Sequence, residues 1–98
     1  MHRLPSHSVY LLLSEHGEVY TGYTSRCIRQ RLREHNRADN TGWTKGRRWH
    51  LLALRMFLDQ HSALRVERQL KRSRYDKRNW LRRIDRLAVL QERHGIPS

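Results

Sequence analysis

Two β-prone runs flank Gly17 near the start of the chain, at residues 8–13 and 18–24. Glycine suits the left-handed position of a three-residue hairpin loop. Such a loop pairs Tyr10 with Gly22 and Leu12 with Tyr20, so that both tyrosines project from the same face of the sheet. A two-residue turn would shift the register by one and put them on opposite faces. We predict a β-hairpin with the three-residue loop.

The rest of the chain alternates helical and strand-like patterns. Ile28 and Leu32 form an apolar stripe at the i, i+4 spacing of a helix, and Ser25 is a suitable N-cap residue for it. An apolar stretch that suits the central strand of a small sheet follows, and then two further helical patterns. We place these elements at residues 26–37 (helix), 49–57 (strand), from about 62 (helix) and at about 76–93 (helix). The order ββαβαα predicts an α+β fold, a small antiparallel three-stranded sheet flanked by helices.

Length and cysteine content limit the class of protein. The chain has 98 residues, the size of one domain, and we expect a single domain with its motif-bearing core at about 8–81. The longest apolar run, residues 9–13, is far shorter than the roughly 20 residues that span a bilayer, and no secretory signal precedes it. One cysteine, Cys27, excludes an internal disulfide and a multi-cysteine zinc site. We expect a soluble, cytoplasmic protein with no membrane partner.

The charge of the chain is strongly positive and unevenly distributed. Lys and Arg total 21 against 9 Asp and Glu, a formal net charge of +12, and only three of the basic residues are lysines. Residues 1–40 carry a net charge of +2 and residues 41–98 carry +10. Because the planar guanidinium suits bidentate contact with phosphate, nucleic acid is the expected partner. A generically basic protein, or one bound to ribosomal RNA or acidic lipid, would have the same composition.

Four aromatic and titratable residues gather around the predicted hairpin. A strand tyrosine is ordinarily a half-buried structural aromatic, but Tyr10 and Tyr20 share a face. Gly22 opposite Tyr10 lets a ligand or another stretch of backbone approach closely. Arg31 and His35 lie one turn apart on the first predicted helix. Most such pairs are simply solvated. The short connection from the hairpin to this helix favours the alternative, that all four side chains share a site.

Glu67 lies on or beside the apolar face of its predicted helix, near Ala63, Leu64 and Leu70 in the helical repeat. A carboxylate in that position is costly unless it meets a cation or a metal. By spacing alone, a salt bridge to an arginine is the simpler explanation.

Basic residues are concentrated at two further places, a loop that contains Trp43 and a stripe on the last predicted helix. Like charges four residues apart on a helix repel by roughly 0.2–0.5 kcal/mol per pair. A bound anion would offset that repulsion between the arginines of the stripe. A solvated surface is the ordinary explanation of either set, but two separate sets favour phosphate contact. The loop contributes Lys45, Arg47 and Arg48, and the stripe consists of Arg74, Arg78, Arg82 and Arg86.

Taken in order and spacing, these pieces resemble the GIY-YIG nuclease family, in particular its small stand-alone bacterial members. The resemblance runs from about residue 8 to about residue 81. Ser8 stands where the first family motif has glycine, and Asn79 loosely matches a late asparagine of the family. The matching segments are residues 8–10 and 20–22 (the two motifs), 31–35 (the helix motif), 44–48 (a basic loop) and 63–67 (the helix of the metal-binding glutamate).

The resemblance implies a metal-dependent DNA endonuclease, a phosphodiester hydrolase that uses Mg²⁺ or Mn²⁺. It further implies low sequence specificity or structure selectivity, and a place in DNA repair or recombination. In the implied roles Glu67 holds the metal and Arg31 stabilises charge on the phosphoryl group. Tyr10 takes a proton from water, its pKa lowered by nearby cations, while Tyr20 and His35 orient or relay. The implied catalytic set is Tyr10, Tyr20, Arg31, His35 and Glu67, with Gly22 structural.

A second hypothesis fits the same residues. The chain would then be a non-catalytic nucleic-acid-binding protein, with RNA as an alternative partner to DNA, built on a nuclease scaffold. Both hypotheses predict tight, salt-sensitive binding to nucleic acid. They differ in whether metal-dependent cleavage accompanies that binding.

Overall fold

The structure, a computed structural model, describes residues 5–82, 89 and 92–94. Within these residues the element order is ββαβαα, which confirms the predicted fold class. The predicted last helix beyond residue 82, including Arg86, falls mostly outside the described residues. No helix in the described part of the chain is long and apolar enough to cross a bilayer. The elements are β1 (His7–Ser14), β2 (Val19–Thr24), α1 (Ile28–Asn36), β3 (Trp49–Phe57), α2 (Gln60–Arg72) and α3 (Arg74–Leu81).

β1 is the central strand of the sheet and pairs antiparallel with β2 on one side and β3 on the other. Its run from Val9 to Leu13 is fully buried because alternate side chains pack against both faces of the sheet. The prediction that residues 49–57 form the central strand is therefore wrong. β3 lies at an edge, and its Leu51 and Met56 are exposed.

The hairpin of β1 and β2 has the predicted register. Tyr10 pairs with Gly22 and Leu12 with Tyr20. Gly17 in the connecting loop has φ of +83°, the left-handed conformation that glycine adopts without strain. Tyr10 and Tyr20 consequently lie on the same face of the sheet.

Helices cover both faces of the sheet, and each face has its own apolar cluster. α2 and α3 cover one face, where the buried residues are Val9, Leu11, Ala63, Leu70 and Leu81. α1 covers the other through Ile28 and Leu32, where the buried residues are Tyr10, Leu12 and Trp49. Tyr10 is thus part of the core beneath α1.

All three helices begin at residues other than those predicted. α3 begins at Arg74 instead of about residue 76, because the Ser73 side chain caps it. α1 begins two residues late, after Cys27 instead of Ser25. The hydroxyl of Thr24 accepts the N–H of Arg26 at 3.0 Å, which closes a turn before the helix can start. α2 begins two residues early because the Asp59 side chain caps it.

Gly22 is the point of closest approach between β2 and the Tyr10 ring. A Cβ on residue 22 would lie 2.4 Å from Cζ of Tyr10. Since that ring is buried and cannot easily move, we expect Gly22→Ala to lower the free energy of unfolding by about 1–3 kcal/mol. Urea denaturation measures the change. Gly42→Ala is the control, since its Cβ would meet only Oδ1 of Asn40 at 3.3 Å; equal stability of all three proteins would contradict the prediction.

Candidate active site

Tyr10 and His35 form a buried hydrogen bond between the sheet and α1. The Tyr10 hydroxyl lies 2.8 Å from Nε2 of His35, and the two residues are 1% and 3% exposed. The Tyr20 ring lies beside both, its centroid 5.1 Å from that of His35 and 6.4 Å from that of Tyr10. Three of the five predicted catalytic residues therefore form one cluster.

Arg31 lies one helical turn before His35 and reaches the same cluster. Its positive charge lowers the pKa of the Tyr10 hydroxyl. Nη1 of Arg31 also lies 3.3 Å from Oε1 of Glu34, which Arg26 binds with two hydrogen bonds of 2.7 and 2.9 Å. The carboxylate between them holds Arg31 in place. Glu34 was not among the predicted site residues, although its i, i+3 spacing from Arg31 is a signal that could have indicated this contact.

Glu67 approaches from α2, which packs on the opposite face of the sheet from α1. Its carboxylate is close enough to Tyr10 that its charge contributes to a raised pKa of that hydroxyl, as the weakest of several influences. Its side chain is 16% exposed, and Oε2 lies 3.6 Å from Nζ of Lys71. Within the part of the chain that the structure describes, the cation paired with Glu67 is thus a lysine one turn along α2 and not the arginine considered from the sequence.

Burial is the main influence on the Tyr10 hydroxyl. It raises the pKa well above the ordinary value for a phenol, and the charge of Tyr20 adds to the rise. Arg31 acts in the predicted direction, but its effect is smaller than that of desolvation. The expectation of a lowered pKa at Tyr10 is therefore wrong for the protein without bound metal, and the hydroxyl keeps its proton.

A threonine and an asparagine support His35 from the far side of the ring. Nδ1 of His35 lies 2.8 Å from Oγ1 of the buried Thr44. Nδ2 of Asn40 donates to the same Oγ1 at 2.8 Å and to the backbone carbonyl of His35 at 2.9 Å. Nothing in the spacing of Asn40 and Thr44 predicted this role, because both residues are ordinary turn formers.

Burial, and after it the positive charge of Arg31, lowers the pKa of His35 to about 4. The ring is neutral at pH 7 and carries one N–H. If that proton is on Nδ1, His35 donates to Thr44 while Nε2 accepts the hydroxyl proton of Tyr10. This arrangement gives both ring nitrogens of His35 a hydrogen-bond partner.

The lowered pKa of His35 predicts how stability depends on pH. The unfolded histidine takes up a proton near pH 6.5, whereas the folded one resists protonation down to about pH 4. The free energy of unfolding should therefore be fully retained above pH 6.5 and fall as the pH drops toward 4. Urea denaturation between pH 5 and 7 measures the slope. We expect a shallower slope for His35→Gln, and parallel curves for the two proteins would contradict the assignment.

The predicted basic loop leads into β3 beside Tyr20. Lys45 and Arg48 are exposed, and Nε of Arg47 lies 2.5 Å from Oε1 of Glu18. The Arg47 guanidinium also lies over the ring of Trp43, 5.3 Å from its centroid. The loop therefore presents cations on the same side of the molecule as the tyrosine cluster.

The arginine stripe lies elsewhere. Arg74, Arg78 and Arg82 are exposed on or directly after α3, which packs on the face of the sheet opposite α1. Asn79, on the same helix, lines a cavity with Trp80 on that face. Within the described residues, neither the stripe nor Asn79 is brought to the Tyr10 cluster.

The donor set around Glu67 fits a weakly held hard cation. Within the described residues, no three His, Cys, Asp or Glu side chains gather into a metal-binding group. A single carboxylate would leave most of the coordination shell of Mg²⁺ to water and to a phosphate of the substrate. Mg²⁺ commonly binds in this way at phosphoryl-transfer sites.

The fold and the cluster together define a class: a small α+β domain of the nuclease type, with two tyrosines and an arginine–histidine helix on one face of its sheet. The chain belongs to the GIY-YIG family, since the family model for the GIY-YIG catalytic domain matches residues 6–79. Members of this family are generally dependent on a divalent metal and act on nucleic acids.

Small relatives match most of the chain. UPF0213 proteins from Staphylococcus aureus strains Mu3 and N315 are 35% identical to it over 69 residues, which is 69% of this chain and 83% of theirs. The solution NMR structure of a UPF0213 protein from Bacillus halodurans is similar in fold, with a TM-score of 0.52 and 27% sequence identity. That likeness covers 93% of this chain and 98% of the other. Size and topology are therefore shared with the UPF0213 proteins.

Proposed function

We propose that the protein is a metal-dependent endonuclease that hydrolyses phosphodiester bonds in DNA at the Tyr10 cluster. The observation that carries the proposal is the buried hydrogen bond of 2.8 Å between the Tyr10 hydroxyl and Nε2 of His35, with Arg31 beside it. A phenol that has a proton acceptor on one side and a guanidinium nearby can move a proton next to a phosphate. A purely structural core tyrosine needs neither.

The raised pKa of Tyr10 fits a relay better than a resting phenolate. As the oxygen of water bonds to phosphorus, the bond from phosphorus to the leaving oxygen breaks, and the leaving oxygen takes a proton from solvent water. The attacking water gives a proton to the Tyr10 oxygen, and the Tyr10 hydroxyl proton passes to Nε2 of His35. The imidazolium then carries the proton away, with its Nδ1–H held by Thr44. General acid–base steps of this kind contribute about 10²–10⁴ in rate.

Charge stabilisation falls to Arg31 and Glu67. The Arg31 guanidinium neutralises the phosphoryl oxygens as negative charge develops on them. Glu67 holds the divalent ion, which when bound supplies Lewis-acid charge and a template for the phosphate. Tyr20 packs against His35 and keeps its ring oriented.

The basic loop and the stripe supply affinity without reading sequence. Lys45, Arg47 and Arg48 contact backbone phosphates near the site, and the stripe of Arg74, Arg78 and Arg82 contacts a more distant segment. Phosphate contacts position DNA but carry no base information, so weak sequence preference or structure selectivity follows. Cutting of branched DNA would fit a role in DNA repair or recombination. The cellular location that we propose is the cytoplasm.

Two observations favour a second function, nucleic-acid binding without catalysis, to either DNA or RNA. The Tyr10 hydroxyl keeps its proton, because burial outweighs Arg31. Within the described residues, Glu67 belongs to no group of three His, Cys, Asp or Glu side chains that could hold a metal. Under this alternative the cluster is a structural remnant, and the cationic surfaces alone carry the function.

A cleavage assay separates the two functions. Supercoiled plasmid and branched oligonucleotides are incubated with the protein in Mg²⁺, in Mn²⁺ and in EDTA. The nuclease proposal requires nicking or cutting that depends on the metal. A Glu67→Gln preparation purified in parallel controls for a contaminating nuclease. Binding without metal-dependent cutting would overturn the nuclease proposal in favour of the second function. Cutting at one strongly preferred DNA sequence would contradict the proposed weak sequence preference.

A further inference from the structure

Trp43 is a large aromatic side chain left in solvent beside the candidate active site. The Trp43 residue is 62% exposed, whereas the neighbouring Trp49 is 1% exposed. An indole in solvent gives up the free energy that burial would provide. Its exposure is therefore a cost that the folded protein alone does not recover.

The Trp43 ring is nevertheless held in a defined position. It stacks on Tyr20 with the ring centroids 5.7 Å apart and the planes 22° from parallel. The loop that carries Trp43 is anchored to the core, since the indole N–H of the buried Trp49 donates to the backbone carbonyl of Thr44 at 2.9 Å. The exposed ring is therefore held in one orientation by Tyr20, and the Arg47 guanidinium over it is the group that an incoming base would displace.

This surface adjoins the residues to which we assign the chemistry. Tyr20 links Trp43 to His35, whose ring centroid lies 5.1 Å from that of Tyr20. A group stacked on Trp43 would therefore be separated from the Tyr10–His35 hydrogen bond by the rings of Trp43 and Tyr20. A nucleotide whose phosphate lies at that bond has its base within reach of Trp43.

The charges around Trp43 fit the same occupant. Arg47 lies over the ring at 5.3 Å, and Lys45 and Arg48 flank it on the loop. Proteins that bind single-stranded nucleic acid usually combine cations, which contact the sugar–phosphate backbone, with aromatic rings, on which the bases stack. An apolar peptide would gain nothing from three neighbouring cations.

We infer that Trp43 is the stacking platform for an unpaired nucleobase next to the scissile phosphate. The inference rests on the proposed function for the position of that phosphate. In an intact duplex both faces of a base are covered by its neighbours, so only an unpaired or extruded base can use the platform. The preferred substrate is accordingly DNA with a single-stranded segment at the cut, such as a flap, a bubble or a junction arm.

Binding measured in EDTA tests the platform without requiring cleavage. Fluorescence anisotropy gives the affinity for a labelled single strand and for the matching blunt duplex, at one fixed salt concentration. The variants are Trp43→Ala, Trp43→Phe, which keeps an aromatic face, and Trp43→Leu, which keeps only bulk. Tyr75→Ala is the matched control, because Tyr75 is 71% exposed but lies on α3 across the sheet.

We expect Trp43→Ala to weaken single-strand binding roughly tenfold, since stacking contributes about 1–3 kcal/mol per base. Duplex binding should change less than about twofold, because phosphate contacts dominate it. Trp43→Phe should retain most of the single-strand affinity and Trp43→Leu should lose it, while Tyr75→Ala changes neither. In a series of strands with an abasic site at successive positions, the parent protein should bind one member more weakly than the rest. For that strand, Trp43→Ala should have the same affinity as the parent.

Equal weakening of single-strand and duplex binding by Trp43→Ala, or no weakening of either, would overturn the platform. So would equal affinity of the Phe and Leu variants for the single strand. These outcomes are independent of the nuclease proposal. Metal-dependent cutting by the parent protein tests that proposal alone, and the binding series in EDTA tests Trp43 alone.

Discussion

Replacing Glu67 with glutamine is expected to reduce the single-turnover rate of metal-dependent DNA cleavage by about 10³-fold, because a bound metal supplies several kcal/mol of charge stabilisation. Glutamine keeps the size of the side chain but removes the charge that holds a divalent cation. DNA affinity in EDTA should remain within about twofold of the parent, since Glu67 makes no favourable contact with phosphate. Quenched-flow or gel assays of the nicking of supercoiled plasmid measure the rate.

Lys71→Gln is the matched control for this prediction. It removes the same ion pair, in which Nζ of Lys71 lies 3.6 Å from Oε2 of Glu67, but leaves the carboxylate in place. The Lys71 end of that pair is in solvent, and solvent-screened pairs of this kind stabilise a protein by about 0–1 kcal/mol. We expect Lys71→Gln to cut DNA at close to the parental rate. Full activity in Glu67→Gln, or equal losses in the two variants, would remove Glu67 from the metal-binding role.

Tyr10→Phe should slow cleavage by about 10²–10⁴-fold, the range for loss of a general acid–base group. Phenylalanine retains the ring that packs beneath α1 but removes the hydroxyl hydrogen-bonded to Nε2 of His35. Binding to DNA should persist. Leaving the buried His35 nitrogen without its partner is expected to lower the free energy of unfolding by about 1–3 kcal/mol, which urea denaturation measures separately from the rate.

Tyr23→Phe provides a closely matched control for Tyr10→Phe. The Tyr23 hydroxyl also lies 2.8 Å from a histidine nitrogen, Nδ1 of His7, but on the opposite face of the sheet. Both variants therefore lose one hydroxyl and one tyrosine–histidine hydrogen bond. Cleavage should be unaffected in Tyr23→Phe. Parental rates in Tyr10→Phe would mean that the Tyr10–His35 bond serves structure and not the reaction.

The hairpin shows what local sequence can determine. A glycine at residue 17 with three loop residues fixes the register, because side chains alternate along a strand and a slip of one residue reverses every face. The pairing of Tyr10 with Gly22 follows from that register. The common face of Tyr10 and Tyr20 follows as well, so the centre of the candidate site was predictable.

The position of a strand in a sheet is not a local property. Residues 49–57 are as apolar as a central strand, yet β3 lies at an edge, with Leu51 and Met56 exposed. Which strand becomes central depends on which one finds partners on both sides. Only the packing of all three strands and both layers of helices decides that.

The sequence by itself determined the order of elements, the hairpin register, the excess of arginine and the spacing of Arg31 and His35. These features depend on neighbours within a few residues, or on composition, and so can be predicted from patterns. Tertiary structure alone decided that Thr44 and Asn40 hold His35, that Lys71 pairs with Glu67 and that Trp43 stacks on Tyr20. It also decided that burial raises the pKa of Tyr10 despite Arg31. The reason is that desolvation and long-range contacts depend on every element packed around a group, and no spacing along the chain records them.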